Sequence, residues 1–166
     1  MYFWRVTKYD PVNRDADGSY LDHEEWTSFS EIGIKVNTEE YLKTEQNYIN
    51  AISEFMDEMG LDRVHVFAVE QWSDEVESEN VNESLSKIWV GKAITAQEVR
   101  ELAKLTLRNV IWCKLGYKKQ FFIHFGYDYY MYIEASKNCI KSKNAVMLSG
   151  LFVEEFDLHH QEFLLD

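Results

Sequence analysis

A single proline in 166 residues leaves the chain almost without rigid spacers, and its seven glycines stand singly rather than in a phosphate-cradling loop. No G-x-x-x-x-G-K-S/T, G-x-G-x-x-G or G-x-S-x-G occurs, so the nucleotide-cradle and serine-hydrolase classes lack their signatures. The two cysteines, Cys113 and Cys139, have no C-x-x-C spacing and are too few for a disulfide framework, which fits a reducing cytoplasm. No apolar run approaches the roughly 18 residues of a membrane span. The opening MYFWRVTKYD also lacks the basic region and apolar core of a signal peptide. Repeats, linkers and low-complexity tracts are missing too, so residues 1–166 read as one globular domain, large enough to bury a core without metal or disulfide.

Charge is abundant and one-sided, with a formal net charge of −12. Residues 61–86 carry seven acids and one base, and residues 151–166 carry five acids and no base. Only residues 87–150 run the other way, with eleven bases and four acids. A chain of this sign repels a polyanion, so nucleic acid is excluded as the expected ligand and a basic protein is favoured. The same acidity also serves plain solubility.

The elements follow from periodicity. YFWRVTKY at 2–9 is aromatic and β-branched and predicts a first strand ending before Pro11. Glu25–Phe29 reads as a short strand or an ordered loop. Asn37 with Glu40 three residues later starts a helix, which runs along Tyr41, Tyr48, Ile52, Phe55 and Met59 and is stopped by Gly60. RVHVFAV at 63–69 is a strand, EQWSDEVESENVN at 70–82 carries no structure signal, and Lys87–Val90 predicts a brief strand. Thr95 and Glu98 form a capping box that opens a second helix, expected to continue through Leu115 to Gly116 and to contain Cys113. Its basic residues Arg100, Lys104 and Arg108 recur every four positions. QFFIHFGYDYYMYI at 120–133 is a hairpin turning at Gly126-Tyr127-Asp128, heavy on both faces. Phe121, Ile123 and Phe125 point one way, with Phe122 and His124 the other. A Lys-rich loop at 136–144 and a last strand or strand pair at 145–156, bent at Gly150, complete the chain. This order predicts an α+β fold, a mostly antiparallel sheet with two main amphipathic helices packed on one face.

Candidate sites are few. Asn13-x-Asp15-x-Asp17-Gly18 with Glu24 at the twelfth position follows the spacing of a calcium loop, which needs alternate oxygen ligands and a closing acid. Asn at the first position, Leu21 at the ninth and the absence of an entering helix argue instead for a solvated Asp-Gly turn. Of the five histidines, His159-His160 sit in the tail with His23 isolated. His65 and His124 would line a His/Tyr pocket if their strands paired, and they otherwise serve as ordinary sheet histidines. The acidic run Glu70–Glu83 embeds Trp72 among Asp74, Glu75, Glu77 and Glu79. Glu154-Glu155-Phe156-Asp157 repeats the chemistry of acids around an aromatic ring. Each is a solvated loop on one reading and an anionic contact surface with an aromatic anchor on the other. Two helices can cover one face of the hairpin, which leaves His124, Tyr130 and Tyr132 as a half-open platform.

Four segments, Trp4-Arg5-Val6-Thr7-Lys8-Tyr9, Glu25-Trp26-Thr27-Ser28-Phe29, Phe125-Gly126-Tyr127-Asp128-Tyr129-Tyr130 and Gly150-Leu151-Phe152-Val153-Glu154-Glu155-Phe156, carry a resemblance in general character. The chain resembles the small, acidic, aromatic-rich immunity proteins of bacterial toxin systems, including contact-dependent growth inhibition. The resemblance implies a cytoplasmic binding protein, not an enzyme, without cofactor or metal. It would neutralise one basic, nuclease-type toxin domain by direct stoichiometric complex formation, as a monomer or small homo-oligomer. The expected contact residues are Trp72, Asp74, Glu75, Glu77, Glu79, His124, Tyr130, Tyr132, Glu154 and Glu155. An enzyme or small-ligand protein with a His/Tyr-lined pocket, and a calcium module at Asn13–Glu24, are the alternatives.

Overall fold

The longest buried stripe of the sequence forms its longest helix. In the computed structural model of the chain, which describes residues 1–17 and 19–155, α1 spans Thr38–Met59. Asn37 Oδ1 accepts the Glu40 N–H at 2.8 Å. Gly60 ends the helix in the left-handed conformation at φ 71°. The buried side of α1 presents Tyr41, Tyr48, Ile52, Phe55 and Met56 to one seven-stranded sheet. The order of that sheet is β3-β2-β4-β5-β6-β1-β7, with every neighbouring pair antiparallel. The strands are β1 (Tyr2–Thr7), β2 (Arg63–Gln71), β3 (Ala93–Thr95), β4 (Ile111–Tyr117), β5 (Phe121–Phe125), β6 (Met131–Ala135) and β7 (Phe152–Glu155). The fold is α+β, as expected. Among the described residues no helix is long and apolar enough to cross a membrane.

The second helix is shorter than its pattern predicts. α4 (Ala96–Leu107) opens on the Thr95/Glu98 capping box but stops at Arg108. Asn109 then takes φ 58°. Its N–H bonds the Thr106 carbonyl at 3.0 Å while the Val110 N–H bonds Leu105 at 2.9 Å, the paired bonds of a left-handed helix stop. The chain therefore turns out at Val110, and residues 111–117 become β4 with Ile111, Cys113 and Leu115 buried. Cys113 thus lies on a strand. Gly116 ends nothing: a Cβ there would stand 2.6 Å from Phe122 Cδ1 and 2.7 Å from the Phe121 carbonyl, so the β4–β5 crossing needs a glycine.

Other departures have equally local causes. The acidic run at 70–82 is structured: β2 continues to Gln71, and α2 (Ser73–Ser78) and α3 (Asn82–Leu85) follow, held down by buried Val76 and Leu85. Asp74 and Glu75 occupy the first turn of α2, where carboxylates suit the exposed amides. Residues 87–90 form no strand. Gly91, at φ 92°, turns the chain so that Ala93–Thr95 pairs with β2 instead. Glu25–Phe29 is an ordered loop that buries Trp26, followed by a single turn at Phe29–Glu31. The lysine-rich segment and the start of the expected last strand fold as α5 (Ile140–Leu148). A side chain of α1 caps it, because Glu58 accepts the Ser142 N–H and hydroxyl at 2.7 and 2.6 Å. Cys139 immediately precedes that helix and is buried. α1 packs between α4 and α5.

The hairpin at 120–133 has the predicted faces and a longer loop. β5 pairs with β6 from Phe121↔Ala135 to Phe125↔Met131, leaving Gly126–Tyr130 as the connection. Asp128 and Tyr129 both take positive φ, at 55° and 65°. Tyr129 is consequently out of the strand and buried against Trp26, Tyr41 and Tyr48. Phe121, Ile123, Phe125, Met131 and Ile133 face the helices, while Phe122, His124, Tyr132 and Glu134 are half-buried on the opposite side.

Candidate functional site

The β5–β6 loop is anchored before anything can bind beside it. The Tyr48 hydroxyl donates to the Tyr129 carbonyl at 2.6 Å and accepts the Lys8 N–H at 2.7 Å. The Tyr129 hydroxyl donates to the Leu107 carbonyl at 2.9 Å, and Tyr9 donates to the Asp128 carbonyl at 2.6 Å. Burial raises the phenols of Tyr9, Tyr41 and Tyr48 well above the ordinary tyrosine range and pushes Tyr129 up to about 12. They act as neutral hydrogen-bonding struts. Lys8 lies over the Trp26 and Tyr9 rings at 4.0 and 4.3 Å and pairs with Glu25. Burial lowers its ammonium pKa against the opposing pull of that carboxylate.

Beside this rigid loop lies a cleft of about 920 Å³. It runs from the half-open sheet face, at Trp112, His124 and Tyr132, around the end of the sheet to Leu107 of α4 and Tyr48 of α1. Trp72 and Glu75 border it from the start of α2, and Glu70 from the end of β2. Trp112 is locked in place, its Nε1–H donating to the Phe125 carbonyl at 2.8 Å and its ring standing edge-on to His124 at 5.5 Å. His124 lies 5.9 Å from the Tyr132 ring, and its buried Nδ1 has no hydrogen-bond partner among the described residues. Burial, with Lys114 beside it, pulls the imidazole down to about 4, so it is neutral at pH 7. Glu70, Glu75 and Asp128 contribute three carboxylates to the lining, which contains no lysine or arginine. None of the three enters an ion pair among the described residues.

The tertiary structure thus joins two candidates that are separate in sequence. Trp72 and Glu75 of the acidic run meet His124, Tyr130 and Tyr132 of the hairpin at one cleft. Asp74, Glu77 and Glu79 are exposed on or beside α2 but do not line it. Glu154 and Glu155 lie on β7, at the far edge of the sheet from β2, so they form no common surface with the acidic run. Glu154 is also committed to Arg5 at 3.2 Å and Arg14 at 3.0 Å. Glu155 is exposed, and Phe156, Asp157, His159 and His160 lie outside the described residues. The strands of His65 and His124 do not pair, so the condition for a pocket lined by both is not met: β4 separates them and His65 stacks on Tyr117.

The Asn13–Glu24 segment is held by its own backbone. Asp15 Oδ1 accepts the Asp17 and Ser19 N–H groups at 3.0 and 2.8 Å, and Asp22 caps the Glu24 N–H at 3.1 Å. Among the described residues no three His, Cys, Asp or Glu side chains converge as a metal site would require. Sequence reasoning missed Trp112, assigned to a helix, and Asp128, read only as turn. The Ile-Trp-Cys-Lys-Leu alternation at 111–115 was the signal for the former. Comparisons with protein-family models, with curated proteins and with solved structures find no match to this chain.

Proposed function

We propose that this protein is a cytoplasmic binding protein that neutralises a basic toxin domain by forming a stoichiometric complex with it. One observation carries this reading: an aromatic cleft whose carboxylates enter no ion pair among the described residues. Exposed Trp72 supplies an amphipathic anchor of the type that dominates protein interfaces. The surrounding acidity of residues 61–86 speeds encounter with a partner of opposite charge. The general resemblance to small acidic immunity proteins agrees with this chemistry. The helices and the buried tyrosine struts make the cleft rigid, which lowers the ordering entropy of association.

The test is to express the chain with a basic toxin domain encoded beside it and to measure complex formation by calorimetry at rising salt. A 1:1 complex that weakens with salt and restores growth of toxin-expressing cells is expected. Lack of any complex with such a domain rejects the reading. The cleft volume also favours a second reading, a small-ligand protein using His124, Tyr130 and Tyr132. It requires a metabolite to raise the melting temperature of the chain alone, through that cleft.

A further inference from the structure

The cleft has a chemistry narrower than general acidity. Its walls include Trp72, Trp112, Tyr130 and Tyr132, four rings whose faces or edges border the same space. Its charges are Glu70, Glu75 and Asp128, with no lysine or arginine in the lining to neutralise them. Of these rings Trp72 is the free one, 45% exposed, whereas Trp112 is fixed by its bond to the Phe125 carbonyl. His124 adds a neutral imidazole, so the histidine of the site brings no positive charge at pH 7.

Rings attract cations over their faces, and carboxylates near the same rings add a directional hydrogen-bond acceptor. A guanidinium satisfies both at once, because it is planar, weakly hydrated, stacks on aromatic rings and donates in a fork to a carboxylate. An ammonium is more strongly hydrated and stacks less well. The fold itself shows the pattern twice: at the rim of the cleft Arg5 lies over the Tyr130 ring at 5.4 Å while pairing with Glu154, and away from it Arg108 lies over the Phe29 ring at 5.3 Å while pairing with Glu45. Around Trp72 and Trp112 the rings and the acids Glu70 and Glu75 line the cleft without a lysine or arginine in its lining.

We infer that the cleft is a receptor for an arginine side chain presented by the partner protein, inserted beside Trp72 and Trp112 and paired with Glu75 or Glu70. This rests on the toxin-binding reading and deepens it by naming the group recognised. It also defines what the cleft rejects, namely anionic and uncharged polar insertions, which would leave the carboxylates desolvated without a counter-charge.

The experiment uses the full chain with arginine methyl ester as the probe, followed by amide chemical shifts and tryptophan fluorescence, with citrulline methyl ester, whose side chain is an uncharged near-isostere, as the control. Saturable shifts confined to residues around Trp72, Trp112 and His124 are expected with the arginine ester, and at least tenfold weaker binding with citrulline. Glu70→Gln with Glu75→Gln should abolish the response, whereas Glu54→Gln with Asp57→Asn, on the exposed side of α1, should leave it intact. Equal binding of arginine and citrulline esters, or equal loss in both double variants, overturns the inference. A toxin complex that forms undiminished with the Glu70/Glu75 variant overturns it while leaving the toxin-binding reading standing. Cleft-confined arginine binding without any toxin complex has the opposite meaning.

Discussion

Arg108 holds Glu45 by two charge-assisted hydrogen bonds, Nε to Oε2 at 2.7 Å and Nη2 to Oε1 at 2.8 Å, where the end of α4 meets the middle of α1. Glu45 is buried, also accepts the Tyr41 hydroxyl at 2.8 Å, and raises the guanidinium pKa. The Tyr41 and Tyr129 hydroxyl oxygens lie 3.3 Å apart, so the pair reaches the cleft loop through two phenols. Removing one partner strands a buried charge, whereas removing both does not. Arg108→Met is expected to lose about 3–5 kcal/mol of unfolding free energy. The double variant with Glu45→Met should lose far less. Urea denaturation of the two single variants and the double variant measures this, and equal losses in single and double variants would refute it.

Gly116→Ala tests the β4–β5 crossing. The added methyl meets Phe122 at 2.6 Å and a backbone carbonyl at 2.7 Å, and only the ring can move aside. Overpacking of this kind costs about 1–3 kcal/mol. A thermal melt of the variant that overlays the parent would show that the strands can separate without loss.

His124 sets a pH window. Its folded pKa, about 4, lies below the ordinary 6.5, so the unfolded chain takes up the proton first as pH falls. Stability from this residue is complete above pH 6.5, declines as pH falls below it, and is gone by about pH 4. Glu31, Glu58 and Glu98 have lowered values and act only below the carboxylate range near 4.5, while Glu134, raised by burial, acts in the opposite sense above it. Comparison with a variant lacking the imidazole, from pH 6.5 to 5.5, therefore isolates the histidine, because the carboxylates are common to both chains. Urea midpoints of the parent should fall across it more steeply than those of His124→Gln. Parallel profiles would mean that the imidazole is not held neutral.

Trp72→Ala and Glu154→Gln should separate binding from stability. Trp72 is 45% exposed, so its loss should leave the urea midpoint nearly unchanged. If it anchors the partner, it should weaken the toxin complex by roughly 2 kcal/mol, about thirtyfold. Glu154 bonds both Arg5 and Arg14, so Glu154→Gln should cost about 2 kcal/mol of stability and leave the complex intact. The reverse assignment, with Trp72 structural and Glu154 at the interface, would show in the same two assays.

Much of the frame is legible in the residues. Asn37, Glu40 and Gly60 mark α1 because caps and left-handed stops act within one turn, and Thr95 with Glu98 marks the start of α4 for the same reason. The hairpin faces follow from a period of two that no neighbour can alter. The end of α4 was hidden because Leu107, Val110, Ile111 and Leu115 continue a helical stripe, and only Asn109 carries the stop. α5 was hidden because its N-terminal amides are satisfied by Glu58, more than eighty residues earlier in the chain.

What the sequence determined by itself is therefore the α+β class, the cap-marked helix starts and the alternation of the hairpin, all of them products of short-range sterics and hydrogen bonding. The tertiary structure alone decided that Trp72 and Glu75 share a cleft with His124, Tyr130 and Tyr132, and that Glu154 answers to Arg5 and Arg14 instead. The reason is strand order. β4, taken from what reads as helix, enters between β2 and β5 and carries Trp112 to the junction, and no local pattern specifies which strands lie side by side.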